Sequence, residues 1–447
     1  MGKRFRLVSS ALALGTLVAG LVVGTVSAGA AAVPIRIGVD NAAPSGHNFS
    51  YVDFFPREGG VIRNGDTIDF AWNPAALDGF HTVTFVPLAK TPAQIWAQHP
   101  LVKPDSDDGA GSLQLNSEIF SNQPHSCKGD SAAHACHYSG SYLSSAGLPN
   151  PANGGPHFFV RVNLDPEEID LPATVKFVCL IHPGMQGSLT VEPLVEETPA
   201  TITRRAVSTQ ATLDALSATQ LAADTAGALA AETSANTTSV TTNTDGTHTI
   251  TMTAGTATNH VEVLEMLPSR IDIKPADHVK WVTTAKKDPH TVTFPKGSGS
   301  DAVDPFGAPV CEGTGTTDTP ATAGPPTFGC TESAPLEAPL DWKPVGDPVI
   351  RTTATVATSG IIATFEEAPF PNHYTFTFPN AGTFAYQCRI HDHMVGSVVV
   401  TAPAPPPAPP VLAQTGGYPL RALPLLLGAL ALLCGLAVLR FRSLVRK

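Results

Sequence analysis

"FVCLIHPGMQGSLTV" (177–191) sets Cys179, His182 and Met185 in a short segment between two runs of alternating apolar and polar residues. Upstream the alternation is "ATVKFV", and downstream it is "GSLTV". Period-2 patterning on both sides of a tight connection reads as two β-strands joined by a loop. The loop writes a thiol, an imidazole and a thioether in the order C-x-x-H-x-x-M. The same order returns in "FAYQCRIHDHMVGSVVV" (384–400), with Cys388, His391 and Met394, again followed by Gly-Ser and a strand.

Working outward, a second element repeats. "HTVTF" occupies 81–85 and 290–294, an offset of 209 residues, which is also the offset from Cys179 to Cys388. Short β-like runs surround each copy. The first half has "VPIRIGV", "GDTIDFAW", "HFFVRVNL" and "ATVKFVCLI". The second has "THTITMT", "NHVEVLEM", "DHVKWVT", "HYTFTFP" and "GTFAYQCRI". β-branched and aromatic residues broken by Gly, Pro and Asp predict an all-β chain made of two antiparallel sandwiches or barrels. The stretch 196–240 is Ala/Thr-rich and almost free of aromatics, and it reads as a linker. Leu213, Leu216 and Leu221 suggest a short helix within it.

The repeated residues make one candidate ligand set per half: His81, Cys179, His182 and Met185, then His290, Cys388, His391 and Met394. Two imidazoles and a thiolate in a trigonal array, with a weak axial thioether, are the donors of a blue-copper electron-transfer site. A scaffold of strands holds an intermediate geometry that suits both oxidation states of copper. A lone "HTVTF" is as easily an edge-strand histidine, and a lone C-x-x-H-x-x-M is a weak pattern. Their joint recurrence, in the same order and at the same spacing, is what points to two copper ions.

On these residues both halves resemble the plastocyanin/azurin family of cupredoxins, with ligand loops most like that of amicyanin. "GDTIDFAW…FHTVTF" and "ADHVKW…DPHTVTF" resemble that family's strand and first histidine. The resemblance implies two tandem Greek-key β-sandwiches, 33–195 and 241–401, joined by the linker. It also implies that His182 and His391 are the exposed ligands through which electrons pass. The long segments between first histidine and cysteine exceed the family pattern and imply an insertion in each half.

Catalysis is not expected. Enzymes of this fold link the blue site to a second copper through a histidine directly before the cysteine, and here those positions are Val178 and Gln387. The one H-x-H, His391-Asp392-His393, lies inside the ligand loop. Copper scavenging or storage, or a structural surface protein with stabilising metal sites, are the alternative roles for the same ligands. Of seven cysteines, Cys127 with Cys136 and Cys311 with Cys330 are close pairs in loop-like sequence and read as disulfide candidates. The histidines around Cys127 and Cys136 keep a zinc site open, although the C-x8-C spacing is wide for one. A net charge of −11 without a basic patch argues against nucleic acid as a partner. The redox donor and acceptor are not named by the residues.

The ends carry addresses. Lys3, Arg4 and Arg6 precede an apolar run and then small residues, the pattern of a secretory signal peptide over 1–30; a retained N-terminal anchor is the alternative. "APAPPPAPP" (402–410), within a Pro-rich stalk at 402–411, predicts an extended polyproline spacer. The last segment, 412–447, has "LAQTGG", then eighteen uncharged residues (422–439), then Arg440, Arg442, Arg446 and Lys447. That length just spans a bilayer, and the basic tail places the bulk outside. The order resembles a sortase signal of the LAxTG type, which implies cleavage between Thr415 and Gly416. A plain membrane anchor is the alternative. Either way the expectation is an exported protein held at the surface of a Gram-positive, actinobacterium-like cell.

Overall fold

Alternation decides the layers. In the computed structural model, Ile35, Ile37 and Val39 of "IRIGV" turn inward, and Arg36 turns out. The structure describes residues 33–77, 81–104, 113–116, 119, 129–144, 157–297, 344–364, 370–391 and 393–402. The expectations for the signal peptide, Cys127, Cys311, Cys330, Thr415, Gly416, the span at 422–439 and nearly all of the stalk lie outside these residues. No described helix is long and apolar enough to cross a membrane.

The strands of the first half are β1 (Ile35–Val39), β2 (Phe49–Tyr51), β3 (Phe54–Phe55), β4 (Gly60–Arg63), β5 (Thr67–Trp72) and β6 (Thr84–Val86). They continue through β7 (Val102–Pro104), β8 (Leu113–Leu115), β9 (Cys136–Tyr138), β10 (Leu143–Ser144), β11 (His157–Val162), β12 (Ala173–Val178) and β13 (Gln186–Glu192). A short helix, α1 (Pro92–Gln98), follows β6. One sheet runs β3-β1-β5-β11-β9 and the other β10-β6-β12-β13-β4, with β7 and β8 paired separately. Phe54, Phe70, Phe85 and Phe177 meet edge-on between the two sheets, the geometry that ring quadrupoles favour.

The second half repeats the plan. A long helix, α2 (Pro199–Ala235), leads to β14 (Ser239–Thr242), β15 (His248–Ala257), β16 (Val261–Leu267), β17 (Arg270–Ile273), β18 (His278–Val282) and β19 (Thr293–Phe294). Then come β20 (Ala357–Thr358), β21 (His373–Thr377), β22 (Gly382–Gln387) and β23 (Val395–Val400). The sheets are β2-β16-β15-β18-β21, with β14 beside β15, and β17-β23-β22-β19-β20. Trp281, Phe294, Phe376 and Tyr386 fill the space between them.

Two features depart from the expectation of two separate sandwiches on a linker. First, β2 belongs by sequence to the first half but pairs antiparallel with β16, through Val261↔Tyr51 and Val263↔Phe49. Phe49 and Tyr51 are fully buried there with Val261, Val263 and Leu267. Second, 196–240 is not an open linker holding a short helix. Its helix α2 runs for 37 residues, about 55 Å at 1.5 Å per residue. Thr198 caps it by accepting from the Thr201 N–H, and Pro199 takes the first helical position, where it needs no donor. Ala, Leu and Gln then propagate it.

Helix α2 lies against both halves, by polar contacts as much as apolar ones, and packs Ala228 in one cluster with Val261, Val263 and Leu267. Arg205 forks onto both oxygens of Asp66 at 2.7 and 2.9 Å. Gln220 bridges Asp53 and the Phe54 carbonyl, and Asp224 receives Arg57. Tyr51 Oη meets Thr225 Oγ1 at 2.6 Å. Ala206, Leu213, Asp224 and Ala228 are its buried side chains, all on one face. Leu213 is sealed into the first core beside Gly60. Leu213→Ala should cost on the order of 2–4 kcal/mol, read as a lower denaturation midpoint with an unchanged slope.

Candidate metal centre

Each ligand loop closes a hairpin. β12 and β13 pair as far as Val178↔Gln186, and β22 and β23 as far as Gln387↔Val395. Within the first loop the Cys179 N–H reaches the Met185 carbonyl at 3.0 Å, and the Met185 N–H reaches the His182 carbonyl at 3.0 Å. The second loop repeats both bonds, Cys388 to Met394 and Met394 to His391, each at 2.9 Å. The loop backbone is thus folded on itself, with cysteine, histidine and methionine all buried.

The first histidine arrives from the neighbouring strand. β12 pairs with β6, which places "HT" of "HTVTF" beside the cysteine. Thr82 then acts twice. Its N–H points at Cys179 Sγ from 3.3 Å, and its hydroxyl accepts the Leu180 N–H at 2.8 Å. Thr291 does the same for Cys388 and Arg389, at 3.3 and 2.8 Å. The repeated threonine was visible in both motifs, but only the fold gives it a task.

The structure gathers His81, Cys179 and His182 into one buried cluster and His290, Cys388 and His391 into another. Cys179 Sγ lies 4.0 Å from His81 Nδ1 and 3.7 Å from His182 Nδ1, and the two nitrogens are 3.0 Å apart. In the second cluster Cys388 Sγ is 3.8 Å from His391 Nδ1. A first-row ion bonded to three such donors at metal–ligand distances near 2.0–2.3 Å needs donors roughly 3.5–3.8 Å apart. The observed separations bracket that range, so the residues fit a small transition-metal ion. Met185 and Met394 are fully buried in the same loops.

The electrostatics favour a thiolate. Burial pushes the Cys179 thiol up, but hydrogen bonds from His182 and His81 overcome it and hold the group well below the ordinary thiol range. Cys388 is lowered in the same way by His290 and His391. Burial works against charge on His182, yet its bonds to Asp288 and Cys179 raise it to about 10. These are the protonation patterns of a donor set waiting for a cation, because a metal ion replaces the imidazole protons and keeps the thiolate.

The expectation that His182 and His391 are exposed is not met. Each is only 4% exposed. The segment 286–290 of the second half lies against the first ligand loop, where Asp288 Oδ1 stands 3.3 Å from His182 Nε2 and Lys287 runs beside Gly184. Lys287 is buried, and its ammonium donates to the Asn259 carbonyl at 2.9 Å. Glu262 of β16 accepts the N–H groups of Lys286 and Lys287. On the other side α1, held by a capping box at Thr91, places Trp96 Nε1 on the Cys179 carbonyl at 2.8 Å. Part of the first-half insertion therefore roofs the first site. Cys136 is disulfide-bonded, as read from the sequence; its expected partner Cys127 lies outside the described residues. Cys179 and Cys388 are the free thiols among the described residues.

Burial, with the Asp288 charge adding to it, raises the Glu262 carboxyl to about 8. The folded chain thus keeps a proton between pH 4.5 and 8 that the unfolded chain releases. The stability attached to this group is complete below pH 4.5 and falls as pH rises to 8. Glu262→Gln keeps the acceptor for both N–H groups and removes the charge. Its melting temperature should exceed that of the parent at pH 8.5, with the gap closing by pH 4.5.

No protein-family model matches the chain, and no curated protein sequence matches it. Among solved structures, amicyanin from Paracoccus versutus is similar over 31% of this chain and 74% of its own, at 19% identity and a TM-score of 0.16. Auracyanin A, a blue copper protein from Chloroflexus aurantiacus, is similar over 34% and 98%, at 17% identity and 0.19. A fern plastocyanin is similar over 31% and 89%, at 16% identity and 0.15. Likeness at these scores carries no weight for function, which rests on the donor sets.

Proposed function

We propose that the protein binds two copper ions, one in each His-Cys-His-Met set, and serves one-electron transfer at the cell surface. The observation that carries this is the pair of buried clusters, each with one thiolate-favouring cysteine, two imidazoles and a methionine in the cysteine's own loop. Bound there, copper supplies a one-electron couple. The protein residues fix the donors: Thr82 and Thr291 aim at the sulfurs, and the loop hydrogen bonds hold the thioethers inside. Hydrogen bonding at the sulfur and the axial thioether are the terms that tune such a site.

Catalysis is not part of the proposal, since Val178 and Gln387 precede the two cysteines. Its remaining terms are an exported, anchored location, drawn from the two ends of the sequence, and a redox-protein partner, which follows from the electron-transfer role. The full-length chain titrated with Cu(II) should take up two ions and develop an intense visible thiolate-to-copper band. A chain that stays colourless and binds no copper would refute the reading.

One observation favours copper storage as a second reading: His182 and His391 are each only 4% exposed, so a docked partner would find little of either ring at the surface. Slow electron exchange with every soluble redox protein tried, despite tight copper binding, would select it.

A further inference from the structure

We infer that the first metal centre is completed by the second half of the chain, with Asp288 as the positioning residue for His182, and that the two centres are consequently unequal. The inference rests on the two-copper reading and deepens it.

Both imidazoles of the first site are held at two ends. Their Nδ1 atoms face Cys179. Their Nε2 atoms face carboxylates: His81 meets Asp40 Oδ2 at 3.2 Å, and His182 meets Asp288 Oδ1 at 3.3 Å. All four side chains are buried. Asp40 itself sits at φ 61°, and its other oxygen accepts the N–H groups of Asn41 and Tyr51, so its carboxylate is clamped. A carboxylate on the outer nitrogen of a ligating histidine fixes the tautomer and ring orientation and makes the inner nitrogen a stronger donor.

Among the described residues, the second site has no counterpart to Asp40. The strands give the equivalence. Val39 pairs with Trp72 of β5, and Thr253 pairs with Val282 of β18. Asp66 and Asp277 open β5 and β18 with the same turn, each accepting the N–H three residues before it. Stepping along from that match, Asp40 aligns with Gly255. The glycine shares the left-handed backbone, at φ 75°, and a Cβ there would lie 2.0 Å from His290 Nε2. That nitrogen has no hydrogen-bond partner among the described residues. One site therefore places a fixed negative charge behind its first imidazole, and the other places bare backbone there. The residue behind His182 comes from a segment that also carries His290 two positions later, so the second half both builds its own site and finishes its neighbour.

A dipositive ion gains from these charges, and the first site should fill before the second. The test uses the full-length chain in two backgrounds, Cys388→Ser to leave the first site and Cys179→Ser to leave the second. Cu(II) affinity is measured by competition with a chelator. Asp40→Asn should weaken the first site by about 10–100-fold and leave the second the same to within about threefold. Asp288→Asn should weaken the first site by a similar factor and the second by less, because the Asp288 charge also acts on His290 and His391. Asp288→Glu should recover part of the loss. Unaltered affinity at the first site, with only the melting temperature of the metal-free protein lowered, would make Asp288 a packing residue and overturn the inference. So would equal losses at both sites. Failure of both backgrounds to bind Cu(II) would instead refute the two-copper reading, and this inference with it.

Discussion

Changing Cys179 and Cys388 together to serine should remove both metal sites and all of the visible thiolate-to-copper absorption. Either change alone should take the copper content from two ions per chain to one. The asymmetry between serine and cysteine is chemical. A hydroxyl does not ionise near neutral pH and is a harder donor than sulfur, whereas here the thiolate is already favoured by two imidazoles. Serine can still accept the Thr82 or Thr291 N–H that faces the sulfur, so the fold should survive and the loss is assignable to the site. Metal analysis beside the absorption spectrum decides the matter. A double variant that keeps its colour would defeat the assignment of both cysteines.

The second large effect is expected from a single methyl group. Gly255→Ala puts a Cβ into the ring of His290, with built-in approaches of 2.0 Å to Nε2 and 2.5 Å to Cδ2. The backbone there is left-handed, where any side chain adds roughly 1 kcal/mol or more of strain. His290 is fully buried and hemmed in by its strand bonds to Ile362, so the ring cannot swing clear without leaving the cluster. The variant should bind one copper instead of two, and the surviving site should be that of His81, Cys179 and His182. Unchanged stoichiometry would mean that His290 is not a ligand. The same substitution made at Gly246, where nothing lies within 4 Å, should leave both sites intact and serves as the control.

Much of the site was legible because its donors are rare residue types written twice at one spacing. Strands were legible where one face is buried, as in "IRIGV", because apolar residues then alternate. Helix α2 was not, and its contacts explain why. Its buried face presents Ala206, Asp224 and Ala228 as well as Leu213, and it docks through Arg205, Gln220 and Thr225. A helix held by small and polar residues shows no broad apolar stripe to count. The burial of His182 and His391 was also illegible. For His182 it depends on Asp288 and Lys287 reaching the first ligand loop from more than a hundred positions away, and nothing in "KKDPH" names that destination. Asp40 had a local signal, an aspartate ending a strand, but no reason to single it out. The long insertions gave no pattern at all, though the Thr91 to Gln94 capping box of α1 was present in "TPAQ".

The placement of β2 bears on whether the halves are separable. Phe49, Ser50 and Tyr51 form the edge of the second half's sheet, with Phe49 and Tyr51 buried against it. Without the first half, the edge of β16 and the apolar side chains under β2 would be bared to water. Without the second half, β2 would be an orphaned strand with two large aromatic rings uncovered. The halves therefore share one cooperative body, and neither is a module that can be cut out intact.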